Sequence, residues 1–461
     1  MNLINRIKKF GNKCAVVLEN NDEINYLELY QSSKKISQSI FPNKLIFLLA
    51  GNNIETISGY IGFLNSNSVT MFINEDIKDI PFKKLINKYQ PDYIFCRKKK
   101  FNFSNYLKKI NFLDYELFFF KRKKKIKIDK KLSLLMPTSG STGSPKFVKI
   151  SKDNILYNTK SILDFLKIKK NDITITTLPI SYVYGLSIIN THLFVGAKII
   201  LNKNSIISNN FWKLFTRNKV TNFNGVPYTY EILNKLQIEK LNFKFVKFFT
   251  QAGGKLSDEL TRKFLNYCKK KNKKFITMYG SAEATARMSY VPWEKALKKV
   301  GSIGIPVKGG NFKIKMSNKG NENVGELIYS GKNVSMGYCN SKKDLKKPDT
   351  NKGILKTGDL VRKDKDNYYY IVGRKDRFVK IYGNRINLFE IEEILMRSGF
   401  KVICQNNDIN LITIKGILNS NKIMKIKNIL EKNINLNLNV FKFVKLKKLP
   451  LNQNYKLKYN D

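Results

Sequence analysis

Short apolar runs alternate with amphipathic stretches over the first third of the chain. Residues 44–50 (KLIFLLA) are unbroken apolar after Lys44, the pattern of a strand buried on both faces, and residues 54–64 follow as a helix. Residues 68–73 (SVTMFI) return to a strand pattern. Strands alternating with helices predict a parallel sheet in an α/β lobe. The alternation continues with a helix over 153–166, strands over 132–136, 198–201 and 245–250, and Ser257 capping a helix over 258–271. In that last helix Cys268 is in phase with Leu260, Phe264 and Leu265, which marks it as a core residue. The stretch 173–197 carries no charge. It contains Pro179, Gly185, Asn190, His192 and several hydroxyls, whereas a membrane span needs ~20 predominantly apolar residues, so buried strands joined by turns are expected and no span.

After about residue 300 turn signals become frequent (GSIGIP, VKGGN, SNKGNENVGE) around short strands such as 326–329, which predicts a β-rich subdomain over about 300–376. Residues 377–461 have their own strand and helix pattern. The expected organisation is therefore a large lobe, residues 1–376, made of α/β subdomains plus the β-rich one, and a small mobile α+β domain, residues 377–461. The length of 461 residues agrees, since ~150 residues per domain gives about three units.

Composition changes this picture little. Lys+Arg exceed Asp+Glu by 85 − 35 = 50 charges, which invites a nucleic-acid or acidic-membrane function. The excess is mostly Lys and travels with Asn and Ile along the whole chain, so compositional drift on solvated faces is the preferred explanation and no specific nucleic-acid partner is expected. The densest run, 121–131 (KRKKKIKIDKK), is either a polyanion contact or a solvated connector, and the connector is preferred. The preceding Phe118, Phe119 and Phe120 are consecutive, unlike a spaced base-stacking platform. Five cysteines, an odd number without metal or redox spacing, suit reduced thiols in the cytoplasm. The polar, basic segment 2–10 has no apolar block behind it, so no signal peptide is expected. The single histidine, His192, has no partner pattern and is assigned a structural place rather than a zinc or hydrolase site.

The chemistry is concentrated in residues 138–146, TSGSTGSPK, directly after an apolar strand. Glycines let backbone approach a polyanion, successive N–H groups form an anion nest, and the hydroxyls and Lys146 add donors and charge. The Walker pattern is absent. The nine-residue string resembles the phosphate loop of the adenylate-forming superfamily: acyl-CoA synthetases, adenylation domains of peptide synthetases, and luciferases. The family's other blocks follow in order: NGVP (224–227), AGG (252–254), YGSAE (279–283), GEL (325–327), TGDL (357–360), GRKDRFVKIYG (373–383) and LPLNQNYK (449–456).

The resemblance implies activation of a carboxylic acid with ATP to an acyl-adenylate, then transfer to the thiol of CoA or of phosphopantetheine on an acyl carrier protein. It implies that Thr138, Ser139, Gly140, Ser141, Thr142, Gly143 and Lys146 hold the β- and γ-phosphates and that Glu283 ligates Mg²⁺. Tyr279 would lie against adenine, with Gly253, Gly254 and Gly280 beside it. Asp359 would take the ribose hydroxyls, Arg374 the ribose or phosphate, and Lys456 would bridge the attacking carboxylate and the α-phosphate. Asp376 stands at the hinge position, and Lys380 and Gly383 would serve the thiol channel after rotation. The acid pocket is expected from Tyr182, Gly185, Asn224, Gly225, Ala252 and Ser281. Arg287 either faces that pocket and pairs with an acidic or polar acid or is a surface strand residue. The segment 179–185 lacks the Asp that amino-acid-activating relatives place there, which argues against an amino acid. Departures are Ala282 for the family's Thr, Phe147 and Tyr455 for Gly, and Tyr182 where many acyl-CoA synthetases have His. Alternatives are a stand-alone enzyme loading a carrier protein and a polyanion-binding protein with a relic nucleotide site.

Overall fold

The computed structural model describes residues 3–104, 106–121, 127–138, 146–316, 324–381, 384–408, 410–434 and 436–451. Among these, the strands form two large mixed sheets of nine and eight strands, a four-stranded antiparallel sheet, and two smaller sheets near the C-terminus. The buried run Leu45–Ala50 lies in the middle of the eight-stranded sheet, parallel to Val69–Asn74 and Tyr93–Arg97. The nine-stranded sheet holds Ile173–Ile175, Asn222–Gly225, Phe248–Gln251 and Lys274–Tyr279 in parallel. The largest core joins apolar side chains of both sheets, such as Val16, Leu48 and Ile199, to helices Ile54–Asn65 and Val183–Val195.

Two sequence expectations are corrected. Residues 173–197 are not a set of strands. After Ile173–Ile175 the chain forms a 13-residue helix, Val183–Val195, ended by Gly196 at φ +74°. Residues Val183 to Leu193 are all buried. A helix buried on every side has no polar stripe, so its sequence resembles a buried strand pair. At 1.5 Å per residue it is about 20 Å long, short of a bilayer core. No helix among the described residues is long and apolar enough to cross a membrane. The strand expected over 245–250 begins only at Phe248, because Val246 N–H bonds back to Phe243 O at 3.0 Å in a turn.

The parallel ladder positions the site. Gly225 is in register with Gln251, and Gln251 with Thr277. The segments NGVP, AGG and YGSAE therefore leave the carboxyl ends of three adjacent strands, the edge where open α/β sheets bind ligands. Lys274–Tyr279 then turns back through a hairpin, with Tyr279 opposite Ser289. The β-rich subdomain is the sheet Asn311–Met316, Val324–Ser330, Ile354–Lys363 and Tyr369–Arg374. Residues beyond Arg377 pack a separate core from Ile381, Leu388, Ile391, Ile412, Ile426 and Leu430.

Candidate functional site

Asp359 and Arg374 are cross-strand partners at the end of the four-stranded sheet. The Asp359 side chain faces the end of Lys274–Tyr279, where it accepts a hydrogen bond from the Tyr279 hydroxyl. Arg374 Nε lies 3.5 Å from its other oxygen and 3.2 Å from Asp376 Oδ1. Burial raises the Asp359 carboxyl above its ordinary range, while Arg374 and the Tyr279 hydroxyl pull it back. A carboxylate offers about four acceptor sites. Two are engaged here, which leaves capacity for a pair of adjacent hydroxyl donors.

Glu283 sits on a short 3₁₀ turn, Ala282–Ala284, in the hairpin. Its Oε1 accepts from the Tyr338 hydroxyl at 2.8 Å, and its backbone oxygen accepts from Ser335 N–H. Tyr338–Cys339 pairs with Phe147 and Val148, the residues directly after Lys146. The neck of the hydroxyl-rich loop is closed by Thr138, whose N–H and hydroxyl donate to Lys146 O at 2.8 and 3.2 Å. Glu283 is thereby set beside the loop's exit strand. Among the described residues no group of three or more His, Cys, Asp or Glu could hold a metal. One carboxylate with a free oxygen fits Mg²⁺, which keeps waters and takes its other ligands from phosphates.

The hairpin tip is held tightly. A Cβ at Gly280 would lie 1.8 Å from Ala286 O, so any side chain there forces the backbone to shift. Thr285 adopts φ +64°, ψ −50°, and Ala286 N–H bonds to Ala284 O at 2.7 Å, a strained γ-turn for a β-branched residue. Its hydroxyl is spent on Asn333 O at 2.7 Å. Thr285 therefore cannot substitute for the hydroxyl missing at Ala282. At the neighbouring strand end Gly253 has φ +90°, as a tight backbone turn there requires.

Of the expected pocket residues, Tyr182, Asn224, Ala252 and Arg287 are buried, with Gly185 and Gly225 alongside them; Ser281 is half-buried. Asn224 is turned into the sheet, bonding Thr174, Asn222 and Thr250. Arg287 is 3% exposed, so the surface-strand alternative is wrong. Gly254 is exposed beside Pro227, and Asp376 is exposed between Arg374 and Arg377. Ser139, Gly140, Ser141, Thr142, Gly143, Gly383, Tyr455 and Lys456 lie outside the described residues; Lys380 belongs to the strand Phe378–Ile381. Sequence reasoning missed Tyr338, Tyr184, Asn158 and Asn333. Tyr184 lies within the segment 179–185, between Tyr182 and Gly185, but was not singled out; Tyr338, Asn158 and Asn333 lie in none of the motif blocks, and only the fold brings them to the site.

Residues 3–339 match the family described as AMP-binding enzyme, nearly three-quarters of the chain, and the chain belongs to that family. The chain is 25% identical over 408 residues to 2-succinylbenzoate–CoA ligase of Oceanobacillus iheyensis, covering 84% of this chain and 81% of that protein. It is 27% identical to oxalate–CoA ligase of Arabidopsis thaliana, covering 57% of this chain and 52% of that one. Among solved structures, o-succinylbenzoate CoA synthetase from Bacillus subtilis, in complex with its acyl-adenylate intermediate, shares the fold at a TM-score of 0.79. That match has 19% identity and covers 99% of this chain and 97% of the other.

Proposed function

We propose that this protein is an AMP-forming acid–thiol ligase. The observation that carries this reading is the buried Asp359 carboxylate, held between the Tyr279 hydroxyl and Arg374 at the carboxyl edge of the parallel strands. A carboxylate is a poor electrophile because its leaving group is oxide. Its oxygen attacks the α-phosphorus of ATP, the bond to the bridging oxygen breaks, and pyrophosphate leaves. A thiol then attacks the acyl carbon, loses its proton, and expels AMP.

Asp359 accepts the two ribose hydroxyls, which a carboxylate suits better than a neutral group. The Tyr279 ring lies against adenine, beside Gly253, Gly254 and Gly280. Thr138, the 139–143 segment and Lys146 donate to the β- and γ-phosphates, and Arg374 reaches the ribose or phosphate. Charge builds on the phosphates, so fixed donors and cations are the main catalytic resource. Glu283 would be the protein ligand for Mg²⁺, which would supply charge neutralisation on the phosphates. Lys456 bridges the attacking carboxylate and α-phosphate. Residues 1–376 form the nucleotide-binding lobe and 377–461 a mobile domain that turns about Asp376, bringing the Lys380–Gly383 segment to the thiol. The acid sits among Tyr182, Gly185, Gly225, Ala252 and Ser281. CoA is the preferred acceptor because the named relatives are CoA ligases. Offering CoA and a phosphopantetheinylated carrier protein to the purified enzyme separates the two acceptors. The reduced cysteines suit a cytoplasmic location.

Acid-dependent exchange of labelled pyrophosphate into ATP tests the reading. Exchange is expected with the matching acid. Lys456→Ala reduces it to background and spares thiol attack on pre-made acyl-adenylate. No exchange with any acid of a broad panel refutes the function; wild-type exchange in Lys456→Ala refutes the role of that lysine.

A further inference from the structure

Arg287 is a buried cation that touches no carboxylate among the described residues. Its guanidinium carbon is 3.8 Å from the centroid of the Tyr184 ring. Nε is 3.4 Å from Met278 Sδ, and Nη1 donates to Ala286 O at 3.3 Å. The neutral Tyr184 hydroxyl also interacts with it, and these partners with a thioether and one long carbonyl contact are poor return for five N–H donors and a full charge. The Tyr184 phenol is pushed up to about 12 by burial, so it stays neutral and supplies no counter-charge. Burial lowers the arginine's pKa, but its intrinsic value lies so far above neutrality that it stays charged.

The contrast with other enclosed cations is sharp. Lys299 is held by Asp364 and Asp366, and Arg377 by Glu392. Lys149 donates to Lys347 O and Pro348 O at 2.9 and 3.1 Å. Those described cations have carboxylates or two carbonyls; Arg287 has a ring face and the Tyr184 hydroxyl, a thioether and one long carbonyl contact, and no counter-charge.

Yet the residue is firmly placed. Asn158 clasps its backbone, accepting from Arg287 N–H at 3.3 Å and donating to Arg287 O at 2.9 Å. Asn333 donates to the same oxygen at 2.8 Å. Tyr184 beneath it is anchored on Thr250, two residues before Ala252. Arg287 thus stands between the helix Val183–Val195 and the strand end that leads into Ala252 and Gly253, on the same hairpin as Glu283. That is the region assigned to the acid.

We propose that Arg287 is a specificity-determining residue that selects acids bearing a second anionic group, a carboxylate or sulfonate remote from the carboxylate that is activated. The guanidinium fork matches a planar carboxylate, and a desolvated cation gains most from an anion that enters with the substrate. This inference rests on the acid-activating function proposed above.

The test is pyrophosphate release with matched acid pairs. Each pair holds a dicarboxylate, or a sulfonated carboxylate, and the isostere whose second acidic group is replaced by an amide or methyl. The wild type is expected to favour the dianion by ~10²-fold or more in kcat/KM, since a site built for a polar group discriminates strongly against its loss. Arg287→Gln should collapse that ratio by ~10²-fold and Arg287→Lys should restore part of it. Reading the ratio removes any general loss of activity in the variants. The shift in melting temperature on adding each acid with a non-hydrolysable ATP analogue gives a second readout that needs no turnover. Turnover of monoanionic acids with no preference for the dianion overturns this inference and leaves the ligase function standing. An equal loss for both members of every pair in Arg287→Gln overturns it too, as a merely structural arginine. Absence of release with every acid overturns the ligase function and this inference with it.

Discussion

At the scale of single residues, buried polar groups divide into those that hold the fold and those left for a ligand. His192 belongs to the first kind. It is buried in the helix Val183–Val195, with Nδ1 2.8 Å from Ile188 O and Nε2 3.1 Å from the Asn222 amide nitrogen. A carbonyl on one side and an amide donor on the other require a neutral ring with its proton on Nδ1. Burial pushes its pKa down to about 4. The unfolded chain, with an ordinary value near 6.5, therefore binds more protons between those limits. Stability from His192 is complete above pH ~6.5 and is lost as pH falls toward 4, by about 3 kcal/mol in total. Glu392 acts in the opposite sense over a similar window, since burial raises its carboxyl to about 7. The difference in unfolding free energy between wild type and His192→Gln isolates the histidine. It should shrink steadily from pH 7 to pH 4 in denaturant titrations; parallel curves would reject this account. The structural place of His192 was legible in the sequence because a ligand or base needs a partner pattern and none was present. The burial of Arg287 was not, because it depends on Asn158, 129 residues earlier, and Asn333, 46 residues later.

At the scale of elements, strands and helices with one clear period were legible, and the helix without a period was not. The run 44–50 and the Ser257 cap are local signals, and the structure forms both, with the Ser257 side chain accepting from Leu260 N–H. Val183–Val195 is enclosed on every side, so a local pattern could not separate it from strands. The motif blocks were visible because each needs glycines or hydroxyls at fixed offsets. Their convergence depends on strand register, which no local pattern contains. The hairpin after Tyr279 shows how much rests on one such position. Ala286 O occupies the space a side chain at 280 would need, and the backbone on either side carries Glu283 and Arg287. Gly280→Ala must push the two arms apart or break the Tyr279–Ser289 pairing. A loss of roughly 3 kcal/mol in stability is expected from overpacking against rigid backbone. Pyrophosphate exchange should fall far more than the folded fraction does, because both side chains move. Calorimetry and exchange on the same preparation check this, and a variant with wild-type melting temperature and exchange would show that the hairpin yields cheaply.

At the scale of the whole molecule, several polar contacts among the described residues join the C-terminal part to the rest of the chain. Lys401 Nζ lies 2.6 and 2.8 Å from the two oxygens of Glu231, Lys255 pairs with Glu393, and Asn387 donates to Val372 O at 3.1 Å. The connecting turn is tied by Lys375 to Glu326 at 2.6 Å. Both partners of the Lys401–Glu231 pair are about one-third exposed, so solvent screens it and it contributes no more than ~1 kcal/mol. A separate apolar core and a screened ion pair at the contact are what the rotation proposed for residues 377–461 requires. The docking of these residues should then be adjustable by charge alone. In Lys401→Glu the pair with Glu231 becomes a repulsion, while the core around Ile391 and Ile412 is untouched. The expected result is a change of up to ~5-fold in the ratio of pyrophosphate exchange to thioester formation from pre-made acyl-adenylate, with little change in melting temperature. Raising ionic strength should pull the variant's ratio back toward the wild-type value, because screening weakens both the lost attraction and the new repulsion. If the ratio of the two half-reactions stays the same in the variant at low and high salt, the Lys401–Glu231 contact does not govern the proposed rotation.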